Sequence, residues 1–354
     1  MQAKVLHALT KLAAKISNPS SLTSLYRSIE LGPEAIRSCS EFGNIELAVD
    51  NSLGLTEPVL LDFNSVDSQA KNLPGTAEIT LTKDENKIRW VAGAATGFWS
   101  AVASDHKIPH IDHKDYPWTP SENLGTALQL AGSACQAAAV SLGLYGITIE
   151  PKDDKLHLMS CNTLALAAST LELGTYPFGK ITVRPPVPGI IAALLSACPN
   201  CALDVTKDGI YMQGDWLKAL LPLGHNLDRD LKEVADKFTE AKIVAKIDNN
   251  AVKKFIKRAQ GLSETNTAFT VKLRVQDGKL ALEHAGINSA TEEVFLCEGL
   301  DLNLNLAPIS LPADMLMQPL QFVQWAVFDY LGNSNLVLKG ENPLFTYVLS
   351  GGED

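Results

Sequence analysis

"NNAVKKFIKRAQGLS", residues 249–263, packs Lys253, Lys254, Lys257 and Arg258 into six consecutive positions of a 354-residue chain whose formal net charge is −10. At about 100° per residue, Val252, Phe255, Ile256 and Ala259 fall on one arc of a helix and the cations on the other. A solvated helix face ordinarily mixes signs, yet no acidic residue lies between Val252 and Leu262. One arc is built for a core and the other for an anion.

The same division occurs near the start of the chain. In "KVLHALTKLAAKIS" (4–17), Val5, Leu9, Leu12 and Ile16 form the expected buried stripe, while Lys4, Lys11 and Lys15 run along one ridge. A third amphipathic segment, "LGTALQLAGSACQAAAVS" (124–141), presents Gln129, Ser133 and Gln136 on an Ala/Leu surface. That face is polar and uncharged, able to touch a polyanion but not to attract one.

Each of these helices opens a similar run, with copies beginning near Lys4, Leu124 and Asn249. In the first copy, strands in "SLYRSIELG" (24–32) and "IRSCSEFGNIELAVD" (36–50) precede a second helix, "NSVDSQAKNL" (64–73), and a hairpin, "AEITLTKDENKIRWVAG" (77–93). The second copy repeats this order with strands in 145–173, the helix "PPVPGIIAALLSA" (185–197) and the hairpin "ALDVTKDGIYMQG" (202–214). The third does so with strands in 268–306, the helix "LPADMLMQPLQFVQ" (311–324) and a closing meander in 325–351. Thr82-Lys83-Asp84 in the first hairpin recurs as Thr206-Lys207-Asp208, and Asp277-Gly278 makes a similar tight turn in the third copy. The fold class is α+β, with three similar domains at 1–118, 119–246 and 247–354. Turn chemistry marks the joints: "HKIPHIDHKDYPWTP" (106–120) reads as a solvated linker, and "NLDRDLKEVADKFTEAK" (226–242) as a solvated loop or short helix on the outside.

Composition excludes several classes. With 46% hydrophobic and 20% charged residues the chain reads as soluble and globular, and no apolar run of membrane-spanning length or signal-peptide pattern occurs. Six cysteines scattered through apolar surroundings point to a reducing cytoplasm. Cys198-Pro-Asn-Cys201 has the spacing of a redox pair or half a zinc site, but no second pair follows, and its place between helix and strand favours a turn. His106, His110 and His113 raise a similar metal question, which the flanking Pro109 and Pro117 answer in favour of a linker. Gly-rich phosphate loops, G-x-S-x-G and H-E-x-x-H are absent, so neither catalysis, cofactor nor metal is expected. Recognition-helix, zinc-finger and RNP patterns are absent too, which leaves sequence-independent contact with a phosphate backbone.

The repeat, with paired helices in each copy and basic first helices, resembles the bacterial DNA sliding clamp, the beta subunit of DNA polymerase III. Residues 63–93, 144–167 and the terminal "YVLSGG" (347–352) carry the resemblance. It implies a head-to-tail homodimeric ring of six similar domains, with helices lining the hole around duplex DNA, tethering a polymerase and having a clamp loader as a further partner. Lys4, Lys11, Lys15, Gln129, Ser133, Gln136, Lys253, Lys254, Lys257 and Arg258 would then face DNA. Phe98 and Trp99 would meet the region of Leu262 across the subunit boundary. A pocket for apolar peptides of the polymerase and loader would be lined by Leu144, Cys161, Thr163, Leu164, Leu166, Val348 and Leu349. Where the family carries Thr-Asp-Gly-His-Arg-Leu, this chain has Cys161-Asn162-Thr163-Leu164-Ala165-Leu166, and its tail is Ser350-Gly351-Gly352-Glu353-Asp354 in place of a Met-Pro-Met-Arg-like end. The substitutions remove hydrogen-bond donors and imply a greasier, less selective pocket, as in a phage or plasmid clamp with its own polymerase.

Overall fold

The computed structural model describes residues 1–50, 53–103, 107–135, 145–172, 178–225, 231–239, 245–262, 269–276, 279–285, 290–295, 306–321, 326–330, 335–340 and 344–351. The chain opens with α1 (Ala3–Ala13), β1 (Ser28–Leu31), β2 (Ala35–Ser40), β3 (Gly43–Ala48) and β4 (Val59–Asp62). Next are α2 (Phe63–Asn72), β5 (Ile79–Asp84), β6 (Lys87–Ala92), β7 (Ala95–Ser100) and α3 (Leu124–Gly132). The middle holds β8 (Ile147–Lys152), β9 (Lys155–Cys161), β10 (Ala165–Glu172), β11 (Ile181–Val183), α4 (Val187–Ala197), β12 (Ala202–Thr206), β13 (Gly209–Gln213) and β14 (Leu217–Leu221). The last part runs α5 (Leu231–Thr239), β15 (Ala245–Ile247), α6 (Asn249–Gln260), β16 (Thr270–Gln276), β17 (Lys279–Ala285) and β18 (Ala290–Phe295). It closes with β19 (Leu306–Pro312), α7 (Ala313–Met317), β20 (Ala326–Tyr330), β21 (Asn335–Gly340) and β22 (Leu344–Ser350). The fold is α+β, and no described helix is long and apolar enough to cross a membrane.

One compact unit comprises chiefly Met1–Glu122 and Gly189–Leu223. Its seven-stranded sheet has the order β12-β13-β14-β3-β2-β1-β4, with every neighbouring pair antiparallel. Residues 202–221, expected in the second copy, thus extend the sheet of the first, Leu217 standing opposite Leu47. Gly43 permits the approach: its φ is +132°, and a Cβ there would come within 2.3 Å of the Leu220 carbonyl oxygen.

Against this sheet lies α1, and its seat differs from the expected one. Ala3, Leu6, Thr10 and Ala13 are buried, with Ile16 just beyond the helix, while Val5 is 41% exposed and Leu9 and Leu12 are half-buried. No side chain caps the N-terminus, and loop carbonyls do so instead: Ala3 N–H donates to Ala77 (2.9 Å) and Lys4 N–H to Gly75 (3.1 Å). Those hydrogen bonds and the packing of α2 against α1 set the helix rotation. On α2 itself, Asp62 caps the helix by accepting from Ser65 N–H (2.9 Å).

The linker is a strap and not a solvated tether. Ile108 and Ile111 are buried, Trp118 bridges to Leu203, and Asn44 Nδ2 donates to the Pro109 carbonyl (2.6 Å). His110 sits 2.8 Å from the Glu46 carboxylate, and His113 lies 2.9 Å from Asp204 with its ring stacked on Tyr211. His106 lies outside the described residues. Beneath the strap, Glu30, Arg37 and Glu46 stand in register on adjacent strands, with the guanidinium paired to both carboxylates.

The other unit comprises chiefly Asn123–Thr175 and Gly224–Asp354. It holds an eight-stranded sheet, β11-β8-β9-β10-β22-β21-β20-β15, and a four-stranded one, β18-β17-β16-β19. As the periodicity predicts, α6 drives Val252, Phe255, Ile256 and Ala259 into a core shared with Leu273, Phe295, Leu311, Phe345 and Tyr347. Asp248 caps that helix through Asn250 N–H (2.9 Å). The charged stretch near the end of the second copy contains α5, whose Leu231 and Ala235 are buried and whose Phe238 is half-buried. The Asp277-Gly278 turn lies outside the described residues.

Candidate nucleic-acid interface and partner site

The cations named from the sequence stand on the outward arcs of their helices. Lys4 and Lys11 on α1, and Lys15 just beyond it, are exposed. On α6, Lys254, Lys257 and Arg258 are exposed and Lys253 is half-buried. Space supplies a counter-charge that the local sequence lacks: the Arg258 guanidinium pairs with Glu293 on β18 at 2.5 Å and lies over the Phe255 ring. Lys71, exposed in the last turn of α2, adds a cation that the repeat pattern does not flag; its signal in the sequence is a position off the Phe63, Val66, Ala70 stripe.

The α3 face is smaller than expected. Gln129 is exposed, but Ser133 is buried and its hydroxyl donates to the Leu130 carbonyl (2.6 Å). A serine just past a helix bonds back to the preceding turn when no solvent competes, so Ser133 cannot present a polar atom outward. Gln136 lies outside the described residues.

The adjacent residues Phe98 and Trp99 part company because side chains alternate along a strand. On β7, a terminal strand of the sheet β5-β6-β7, Phe98 is 56% exposed beneath the Lys87 ammonium, whereas Trp99 is 2% exposed and packs 6.2 Å from Trp90. Trp99 is therefore core, not interface. Leu262, beyond the end of α6, is half-buried.

For the peptide pocket the strand register decides. Cys161, Leu166, Val348 and Val337 form one lateral row across β9, β10, β22 and β21. That row is covered by Leu231, Ala235 and Phe238 of α5, which leaves Cys161, Leu166 and Val348 at 9%, 7% and 4% exposure. Leu349 points to the opposite face and enters the α6 core with Ala165, so it cannot line the same pocket as Val348. Thr163 and Leu164 remain exposed in the β9–β10 turn. The turn is held by Asn162, whose Oδ1 accepts from Leu164 and Ala165 N–H (both 2.7 Å) and whose Nδ2 donates to Ala134 (2.9 Å). Ser350 N–H donates to the Leu164 carbonyl (2.8 Å), tying the turn to the end of β22. Leu144 lies outside the described residues.

These antiparallel sheets with helices packed against them have the fold of a sliding clamp. The likeness is to DNA polymerase III beta subunits over essentially the whole chain. The Pseudomonas aeruginosa subunit matches with a TM-score of 0.76 at 16% identity, covering 100% of this chain and 99% of that one. A Bartonella birtlesii clamp bound to griselimycin gives 0.82 at 14%, covering 100% and 99%. A Helicobacter pylori clamp bound to a DNA ligase peptide gives 0.75 at 12%, covering 99% of each. No protein-family model and no curated protein sequence matches the chain.

Proposed function

We propose that the chain is a DNA polymerase processivity factor that closes as a ring around duplex DNA without reading its sequence. In this reading residues 1–118, 119–246 and 247–354 are three clamp domains with sheets shared across their boundaries, and two chains join head to tail. What carries it is a full-length clamp fold whose exposed lysines sit on α1 and α6 of a chain of net charge −10. Lysines that displace counterions hold the phosphate backbone, and the acidic remainder limits binding through other surfaces.

Self-association is supported by the terminal strands β7 and β18, which expose Phe98 and Val294 and would otherwise be aggregation-prone edges. Polymerase and clamp-loader peptides would dock where α5 meets the β9–β10 turn, around the exposed Val234 and Leu164. The peptide and griselimycin complexes of the neighbouring clamps support a peptide site on this fold.

A second reading, a clamp-fold scaffold that no longer encircles DNA, is favoured by the tie between Arg258 and Glu293 and by the buried Ser133. Retention on circular and linear duplexes at rising salt separates the two. A ring stays on a closed circle and is lost through free ends, while equal loss from both substrates would leave only the scaffold.

A further inference from the structure

Cys198 and Cys201 have no part in the surfaces described above. After α4 the chain turns into β12, with Cys198 N–H donating to the Leu194 carbonyl (2.8 Å) and Cys201 N–H to that of Cys198 (3.2 Å). A turn closed from residue i to i+3 keeps its end Cα atoms within about 7 Å, and a disulfide requires roughly 4.4–6.8 Å. Both side chains are buried, at 5% and 0% exposure, and the two thiols share a hydrogen bond. Their sulfurs also converge on one point of the backbone. A Cβ on Gly214 would lie 2.2 Å from Cys198 Sγ and 3.1 Å from Cys201 Sγ, so the paired sulfurs require a residue without a side chain there.

We propose that Cys198 and Cys201 form a reversible dithiol–disulfide site, oxidised by low-molecular-weight disulfides, that cross-links the end of α4 to the start of β12. Cys198 is the more exposed and reacts first: its thiolate attacks one sulfur of glutathione disulfide and expels one glutathione thiolate. The Cys201 thiolate then attacks the Cys198 sulfur of the mixed disulfide and expels the second glutathione. Two protein thiols are oxidised, one glutathione disulfide is reduced to two glutathione molecules, and the two protein protons pass to the departing thiolates. Burial, followed by the hydrogen bond with Cys198, raises the Cys201 thiol well above its ordinary value, so ring closure accelerates as pH rises.

The test uses the full chain, reduced, freed of reductant and incubated with glutathione disulfide at mildly alkaline pH, then denatured and alkylated. Two of the six thiols should disappear, and peptide mapping should find Cys198 joined to Cys201, lighter by two hydrogens. Cys201→Ser should accumulate glutathione on Cys198, and Gly214→Ala, with its fold checked by circular dichroism, should slow the cross-link. An unchanged thiol count would overturn the proposal. So would a lasting glutathione adduct on wild-type Cys198, or a disulfide through Cys39, Cys135, Cys161 or Cys297 in place of this one.

Discussion

Helices α1 and α6 carry similar charge outward but are seated by different rules. On α6 the cations fill a whole arc, so the apolar arc is fixed by contrast, and Val252, Phe255, Ile256 and Ala259 are all buried. On α1 apolar residues wrap most of the circumference, and neighbours choose among them: Leu6 is buried and Val5, one position away, is 41% exposed. A charged ridge marks the outer face of a helix more reliably than an apolar stripe marks the inner one, because a charge cannot be buried unpaired while an exposed valine costs little.

The largest effects come from the buried arcs. Phe255→Ala should cost about 3–5 kcal/mol and Leu6→Ala about 2–5 kcal/mol, whereas Val5→Ala should stay within about 0.5 kcal/mol. Denaturant unfolding checks all three, and a larger loss for Val5 than for Leu6 would mean that α1 is seated on the expected stripe after all. Reversing the outer arcs comes next. Lys254→Glu with Lys257→Glu, and separately Lys4→Glu with Lys11→Glu, should each lower the salt slope of DNA binding by roughly 0.9 for every phosphate no longer neutralised, with folding unaffected. An unchanged slope for one pair would remove that helix from the interface.

A smaller effect sharpens the difference between the helices. Glu293→Gln should release Arg258 and tighten DNA binding at low salt, while stability changes by only about 0–1 kcal/mol, as for an exposed ion pair. Weaker binding would show that Glu293 instead holds Arg258 in its working position. The smallest effect belongs to α5, which mixes signs where α6 does not. Burial, and then Lys232 on α5, hold the pKa of His157 below its usual value. The folded chain therefore takes up that proton less readily than the unfolded one. The contribution is full above the ordinary histidine value of about 6.5 and is lost as pH falls toward the depressed one. His157→Gln should accordingly lose less thermal stability than wild type between about pH 7 and pH 5; an identical loss would place the acid sensitivity elsewhere.

Periodicity revealed the elements whose partners are close in sequence. The α6 arc, the hairpin of β5 and β6, the order of helices and strands, and the break between α4 and β12 all follow from local pattern. Long-range pairing decided the rest. Glu293 reaches Arg258 on α6 from the strand β18, α5 settles on a row drawn from four strands, and the packing around β22 assigns Val348 to the α5 face and Leu349 to the α6 core. Ser133 looked outward on a wheel only because the turn that absorbs its hydroxyl is not a property of spacing.

The pairing of β3 with β14 has a consequence for synthesis. As the chain leaves the ribosome, β1 to β4 are complete long before residues 217–221 emerge, so β3 carries an unpaired edge throughout the intervening translation. Such an edge is a template for pairing with another nascent chain, and pairings so distant in sequence form slowly. A transcript cut after the first repeat should therefore yield inclusion bodies and not a soluble fragment, and the polysome-bound chain is a natural client for chaperones until β14 closes the sheet.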